Sequence, residues 1–179
     1  DKPITIVKSE WLKHQIDRLD RASKVKAAPI IVMSMDDEEY CVAVLRQYGI
    51  DVKVEERIRL PGKLQAEERT KAALEFLKAA LKSLREVWTE TRSPIVIIGP
   101  GFVKNEFVTY MKGAALDVAQ AVIDVKGVNS GGIAGIHEAL RSGVLTKALR
   151  HVRIVEEARV MEEALGRLGK GRLEITYGF

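Results

Sequence analysis

The stretch that most constrains the fold of this chain is residues 95–111, IVIIGPGFVKNEFVTYM. The β-branched run 95–98 predicts a buried strand, and the sequence GPG at 99–101 predicts a sharp turn at its end. Apolar residues then recur at four-residue spacing, at Val103, Phe107 and Met111. This spacing predicts a helix that packs back on the sheet. A strand, a turn and a helix in this order favour an α/β protein, in which loops at the carboxyl ends of strands are the usual ligand sites.

The turn at 99–101 lacks the spacing of a phosphate-binding loop, because neither GxxxxGK[ST] nor GxGxxG is present. Two glycines around a proline allow the backbone to reverse within three residues, so a purely structural turn also explains the pattern. The missing phosphate loop argues against a small nucleotide-binding domain.

The remaining periodicities predict four further strands and three further helices. Residues 29–35 and 40–45 predict a β-hairpin around an acidic turn, and 52–60 predicts a third strand. In this third strand the alternation places four apolar residues on one side, Val52, Val54, Ile58 and Leu60. Residues 66–90 predict a long amphipathic helix, with Ala73, Leu77, either Ala80 or Leu81, Leu84 and Trp88 on its inner face.

In the second half of the chain, residues 121–128 predict a strand, and residues 152–169 predict an amphipathic helix. Between them, Asn129 and Ser130 are suited to cap a helix that turns three apolar residues inward, Ile133, Ile136 and Leu140. The fold predicted from this order is α/β, with a mixed sheet formed by a β-meander followed by βαβα units, and helices on both faces.

Composition predicts a soluble cytoplasmic protein with a substantial core. The 179 residues are 46% hydrophobic and 30% charged, and the net charge of +4 is compatible with nucleic acid without being diagnostic. Neither a signal peptide nor an apolar run of membrane-spanning length is present. The single cysteine, Cys41, is interpreted as a small buried hydrophobe, and three histidines make a Cys/His zinc site improbable.

Carboxylates offer few candidates for catalysis. Asp36, Asp37 and Asp124 are the candidates for a metal site, but consecutive acids in a turn are more often a solvated tip. We therefore expect no catalytic residue and no metal or other cofactor in this part of the protein.

Three motifs, in order along the chain, carry a family resemblance: GPGFVKNEF at 99–107, NSGGIAGIHEALRSGVL at 129–145 and RIVEEARVMEEALGRLGKGRLEITYGF at 153–179. The chain resembles archaeal Pelota, the ribosome-rescue relative of the archaeal and eukaryotic peptide-chain release factors. The resemblance implies a linker or helix from a preceding domain at 1–25, a release-factor-type central domain at 26–150, and the start of a C-terminal domain at 151–179. It also implies that the family's N-terminal Sm-like domain is missing.

The resemblance implies a monomeric factor of mRNA surveillance and no-go decay. Such factors enter the vacant decoding site of stalled ribosomes, are delivered by an elongation-factor-like GTPase, and promote subunit dissociation with an ATP-driven recycling factor. The alternative function is a divalent-metal endoribonuclease, with its activity in the missing N-terminal domain.

Peptidyl-tRNA hydrolysis is not expected, although the release factors in this family perform it. Their Gly-Gly-Gln loop corresponds here to residues 60–66, LPGKLQA, in which Leu64 rather than a glycine precedes Gln65. A side chain at that position prevents the backbone conformations that two glycines allow.

The family position of this loop makes five nearby cations candidates for contact with ribosomal RNA or tRNA: Arg57, Arg59, Lys63, Arg69 and Lys71. A solubilising outer face is the alternative interpretation, since carboxylates at 55, 67 and 68 dilute the positive charge. The family motif at Gly99, Pro100, Gly101 and Phe102 is expected to be a shape-defining turn in which Phe102 is the anchor.

Overall fold

A computed structural model describes residues 10–16, 28–46, 49–58 and 66–150, together with the single residues 152, 154, 158, 161 and 162. Its five strands are β1 (Ile30–Met35), β2 (Glu39–Arg46), β3 (Gly49–Arg57), β4 (Ile95–Gly99) and β5 (Val122–Gly127). Its main helices are α1 (Ala66–Thr91), α2 (Val103–Ala114), α3 (Leu116–Gln120) and α4 (Gly132–Arg141). Residues 146–150 are also helical. The predicted helix at 152–169 lies mostly outside the described residues, and the proposed domain boundaries stay a prediction.

The strands form one mixed sheet in the order β3-β2-β1-β4-β5. The first three strands are antiparallel neighbours, whereas β4 runs parallel to β1 and β5 runs parallel to β4. The predicted meander followed by parallel crossover units is therefore confirmed. In the described part of the chain, no helix is both long enough and apolar enough to cross a membrane.

Each face of the sheet is covered by helices, and alternate residues of β1 serve the two faces. Ile31 and Met33 pack in the cluster that includes α1, α2 and α3, with Leu84, Phe107 and Met111 among its members. Ile30 and Val32 pack in the opposite cluster, with Ile136, Ala139, Leu145 and Ala148 among its members. Because β1 and β4 are buried on both faces, their sequences are apolar without alternation, with Ser34 in β1 as the exception.

The regular alternation predicted for 52–60 is wrong, because β3 contains a β-bulge. Val54 is opposite Val42 and Val52 is opposite Ala43, so Lys53 is the extra residue. The bulge puts Val54 with the α1-side cluster but leaves Val52 on the other face, where it is 43% exposed.

Two inward faces also differ from those predicted by periodicity. In α1 the buried residues are Phe76, Ala80, Leu81, Leu84 and Val87, whereas Ala73, Leu77 and Trp88 are only partly buried. In α4, Ala139 is buried and Leu140 is 37% exposed. The predicted inward positions are displaced by one residue from the observed ones. One residue corresponds to about 100° around a helix, and a periodic pattern does not fix the inward face more precisely than that.

A buried tyrosine links β2, β3 and α1. The Tyr40 hydroxyl donates to Glu56 Oε2 at 2.7 Å and lies 3.0 Å from Ser83 Oγ, and the tyrosine side chain is completely buried. Glu56, which interrupts the apolar side of β3 in the sequence, is thus the acceptor for a tyrosine on the neighbouring strand. Burial is the main cause that raises the pKa of Tyr40 to about 12.

We expect Tyr40→Phe to lower the free energy of unfolding by about 1–2 kcal/mol near neutral pH, because two polar partners lose their hydrogen bond. The folded-state pKa of Tyr40 is raised above its ordinary value of 10.0. The stability that depends on its protonated form is therefore present below that value and is lost as the pH rises towards 12. Urea unfolding of both proteins at several alkaline pH values should show the difference shrinking. A difference that stays constant up to pH 12 would contradict this interpretation.

Candidate functional site

The turn after β4 brings two strands into close contact. Gly99 has a φ of 157°, and a Cβ atom on it would lie 1.9 Å from the carbonyl oxygen of Met35 in β1. Gly101 has a φ of 55° with open space around its Cβ position, so it is required for backbone conformation rather than for space. The two glycines of the GPG motif thus have different physical roles.

Lys104 closes this turn from the first turn of α2. Its side chain is buried, and its Nζ donates a hydrogen bond to the carbonyl oxygen of Gly101. The lysine lies on the wall of an open pocket of about 380 Å³ at the carboxyl ends of β4 and β5. The other residues lining this pocket include Gly127, Asn129, Glu138 and Ser142. Sequence reasoning missed Lys104, because a lysine in an amphipathic helix is ordinarily a surface residue.

Phe102 does not anchor the turn, and that expectation is wrong. The side chain is 79% exposed and occupies the N-cap position of α2, while Phe107 and Met111 make the helix's core contacts. Phe102 instead borders a groove of about 560 Å³ along the outer side of α2, together with Asn105, Glu106, Thr109 and Tyr110. Phe102 is available to a partner because the core-facing stripe of α2 begins one residue later, at Val103.

The loop before α4 is held by Glu138. Its carboxylate accepts hydrogen bonds from the Asn129 backbone N–H at 2.9 Å, from Asn129 Nδ2 at 2.8 Å and from the Ser130 backbone N–H at 3.1 Å. These bonds, with the Asn129 N–H contributing most, lower the pKa of Glu138. The expectation that Asn129 and Ser130 cap α4 is wrong, since the N-cap is Gly131 and no side-chain cap bond is present.

The start of α4 packs against the acidic turn of the β1–β2 hairpin. Cβ atoms added to Gly131 and Gly132 would lie 2.2 Å from Asp36 Oδ2 and 2.6 Å from Glu39 Oε1. Asp36 Oδ1 also accepts the backbone N–H groups of Glu38 and Glu39, each at 2.8 Å. Carboxylates at a helix N-terminus are electrostatically favourable, so these two acids stabilise the fold locally.

The acidic residues do not form a metal site in the part of the chain that is described. No group of three His, Cys, Asp or Glu side chains in those residues is arranged to hold an ion. Asp124, the third candidate with Asp36 and Asp37, pairs with Lys126 at 3.2 Å. Burial raises the pKa of Cys41 to about 12, so its thiol is protonated at neutral pH, and its interpretation as a small buried residue is confirmed.

The predicted RNA-contacting cations are only partly described. Arg57 is exposed at the end of β3 and pairs with Glu38 at 3.4 Å. In the first turns of α1, Arg69 is half-buried and Lys71 is exposed. Arg59 and Lys63, like Leu64 and Gln65, lie outside the described residues. The described cations therefore stand at the two ends of the segment 59–65, on β3 and α1.

Comparison with known proteins assigns the family. The family model for eRF1 domain 2 matches residues 28–151. The chain belongs to the eRF1 domain 2 family. Within this family its relatives include the "Protein pelota homolog" of Methanopyrus kandleri, 32% identical over 99% of this chain and 49% of the relative. The homologue from Methanothermobacter thermautotrophicus is 33% identical over 98% of this chain and 50% of the relative. The chain thus spans about half the length of the relatives it matches, and the resemblance to archaeal Pelota is confirmed.

Solved structures show the same fold. Archaeoglobus fulgidus Pelota matches with a TM-score of 0.57 and 26% identity, over 90% of this chain and 46% of that one. A model of ribosome-bound archaeal Pelota and ABCE1 matches with a TM-score of 0.51 and 26% identity, over 97% of this chain and 49% of that one. The release-factor-type central fold predicted from the motifs is therefore confirmed.

Proposed function

We propose that this chain is the central part of a ribosome-rescue factor that acts in the cytoplasm. The factor enters the vacant decoding site of a stalled ribosome and promotes subunit dissociation while leaving peptidyl-tRNA intact. The observation that carries this proposal is the sequence LPGKLQA at 60–66, in a chain of the eRF1 domain 2 family. The similarity to a ribosome-bound archaeal Pelota supports the ribosome as the partner.

The absence of hydrolysis follows from the residues around Gln65. A release-factor loop requires bare main chain before its glutamine, and Lys63 and Leu64 carry side chains at those positions. Among the described residues, Cys41 is a buried, protonated thiol and no three metal-ligating side chains lie together. Rescue would then depend on binding and displacement rather than on catalysis.

The same factor is proposed to work with two nucleotide-driven partners, an elongation-factor-like GTPase and an ATP-driven recycling factor. Archaeal Pelota is found together with ABCE1 on the ribosome, which supports the second partner. For the GTPase we propose the groove on α2 as a contact surface. Phe102 at 79% exposure is the most exposed of the described large hydrophobic side chains, and exposed aromatic residues are typical anchors of protein interfaces.

The five cations at 57–71 are proposed to contact RNA phosphates at the ribosomal site. Their charge is suited to recognition of backbone shape without reading sequence. Arg57 pairs with Glu38 at 3.4 Å, but both side chains are exposed, so a phosphate can compete with this weak surface pair.

We expect the double charge reversal Arg59→Glu and Lys63→Glu to weaken ribosome binding about tenfold or more. Each lost phosphate contact lowers the number of counterions that are released on binding, and that release favours binding. Co-sedimentation with ribosomes over a series of salt concentrations measures this change. The matched control is Lys78→Glu with Lys82→Glu, which makes the same change in charge on the outer face of α1. Equal binding by the Arg59/Lys63 variant and wild type at every salt concentration would contradict the assignment.

A further inference from the structure

The segment that contains α4 and the helical residues after it carries little negative charge of its own, although the acidic turn at 36–39 lies against the start of α4. Between residues 125 and 150 the sequence has four Lys or Arg residues and a single carboxylate, Glu138. Lys126 is paired with Asp124 at 3.2 Å, which leaves three cations in this region, Arg141, Lys147 and Arg150. We call these three residues the α4 face.

The one carboxylate of the region is not available to neutralise the α4 face. Glu138 and Arg141 have the i,i+3 spacing at which a helix normally forms an ion pair. Glu138 instead accepts three hydrogen bonds from the loop residues Asn129 and Ser130. Arg141 directs its Nε to the His137 carbonyl oxygen at 3.4 Å, and within the described residues no ion pair includes Arg141, Lys147 or Arg150.

The two helical segments that carry these cations pack on the same face of the sheet. Ile136 and Ala139 of α4, and Leu145 and Ala148 of the following segment, are buried in one cluster against the sheet. The chain between the segments turns at Gly143, which has a φ of 74°. Arg141, Lys147 and Arg150 are all exposed, and Lys147 and Arg150 are neighbours on the outer surface of their helix because of their i,i+3 spacing.

We propose that the α4 face is a second RNA-contacting surface that binds phosphodiester backbone. This surface lies on the opposite side of the sheet from α1, where the previously assigned Arg69 and Lys71 are located. Unneutralised, exposed cations on rigid helices bind phosphates by charge, with little dependence on nucleotide sequence. The inference goes beyond the proposed function, on which it rests only for the choice of RNA as the polyanion.

Two basic surfaces on opposite sides of one sheet would allow the domain to contact two RNA segments at once. A domain with a single RNA surface lies against one strand or helix of RNA, whereas this domain would lie between two RNA segments. Loss of either surface should then weaken binding to a folded RNA, and the two effects should add because the sites are separate.

The test is a fluorescence-anisotropy titration of a labelled RNA duplex of about 20 base pairs. The logarithm of its binding constant should fall linearly with the logarithm of the salt concentration. The test protein is a triple variant that carries the neutral substitutions Arg141→Gln, Lys147→Gln and Arg150→Gln. We expect about tenfold weaker binding and a slope of log K against log salt that is smaller by about 2–3, since each of the three lost phosphate contacts contributes about 0.7–0.9. The control is the triple variant Lys78→Gln, Lys82→Gln and Arg85→Gln, which removes an equal number of positive charges from α1. It should weaken binding less than about threefold.

Equal losses in the two triple variants would overturn the proposal, because only net charge would then matter. Displacement of the RNA by polyglutamate as effectively as by unlabelled duplex would also overturn it, because the face would then accept any polyanion. The ribosome co-sedimentation assay is independent of this titration. Failure of wild type to bind ribosomes overturns the proposed function even if the α4 face binds the duplex, and the reverse result overturns only the α4 face.

Discussion

Replacing Gly99 with alanine is expected to lower the free energy of unfolding by about 3 kcal/mol or more, since overpacking at a rigid site carries a penalty of this size. The new Cβ atom would lie 1.9 Å from the carbonyl oxygen of Met35. That oxygen belongs to the backbone of β1, which is buried throughout and has a neighbouring strand on each side, so it cannot move away cheaply. The melting temperature should fall by about 6–12 °C for a chain of this length.

Gly127→Ala is the matched control for this prediction. Gly127 is paired in register with Gly99 on the adjacent strand, and its Cβ position has no atom within 4 Å. Chemical denaturation of both variants separates the effect of the close contact from that of losing a glycine in a strand. Equal stability of Gly99→Ala and Gly127→Ala would show that β1 and the turn after β4 are not in close contact.

The second large effect is expected at Gly135, where α4 crosses β1. A Cβ atom on Gly135 would lie 2.3 Å from Ser34 Oγ and 2.4 Å from the carbonyl oxygen of Ser130. We expect Gly135→Ala to lower the free energy of unfolding by about 2–3 kcal/mol, because both contacts are far below van der Waals distance. Adding Ser34→Ala should restore part of this loss, since it removes one of the two contacts.

Ser34→Ala alone should change stability by less than about 1 kcal/mol, because Ser34 Oγ is buried without a hydrogen-bond partner among the described residues. A further control is Gly113→Ala in α2, an exposed position with open space, where alanine should stabilise the helix by about 0.5–1 kcal/mol. If Gly135→Ala proved as stable as Gly113→Ala by urea denaturation, the close packing of α4 on β1 would be excluded.

The sequence was sufficient for the fold where periodicity and turn chemistry act locally. The buried runs of β1 and β4, the GPG turn and the helical spacing of Phe107 and Met111 all specify their elements from neighbouring residues. The order of these elements then limits the sheet to a meander joined to parallel crossover units.

Local patterns failed where a distant residue decides the structure. The bulge at Lys53 depends on the pairing of β3 with β2, and no feature of 52–60 shows it. The role of Glu138 depends on hydrogen bonds to loop residues that lie eight and nine positions earlier in the sequence. The requirement for glycine at position 99 depends on Met35 in another strand. Phe102 was assigned as the anchor of the turn from the family motif, whereas it occupies the N-cap position of α2 and its side chain is 79% exposed.

The candidate site illustrates the same division. The motif residues 99–102 and the cations Arg57, Arg69 and Lys71 could be selected from the sequence by resemblance and charge. Lys104 could not, because a lysine in an amphipathic helix is ordinarily a surface residue, and only the backbone at Gly101 provides the acceptor that retains it. The α4 face likewise became visible only when Glu138 was seen to be occupied elsewhere.

We propose that this domain binds the ribosome and displaces its subunits rather than hydrolysing peptidyl-tRNA. The most direct test uses ribosomes stalled with labelled peptidyl-tRNA, to which the full-length protein, its GTPase and its ATP-driven recycling partner are added, with a release factor as the positive control. Subunit dissociation and free peptide are measured in the same reaction. We expect separated subunits with the peptide still attached to tRNA; release of the peptide at a rate near that of the release factor would show that the domain hydrolyses.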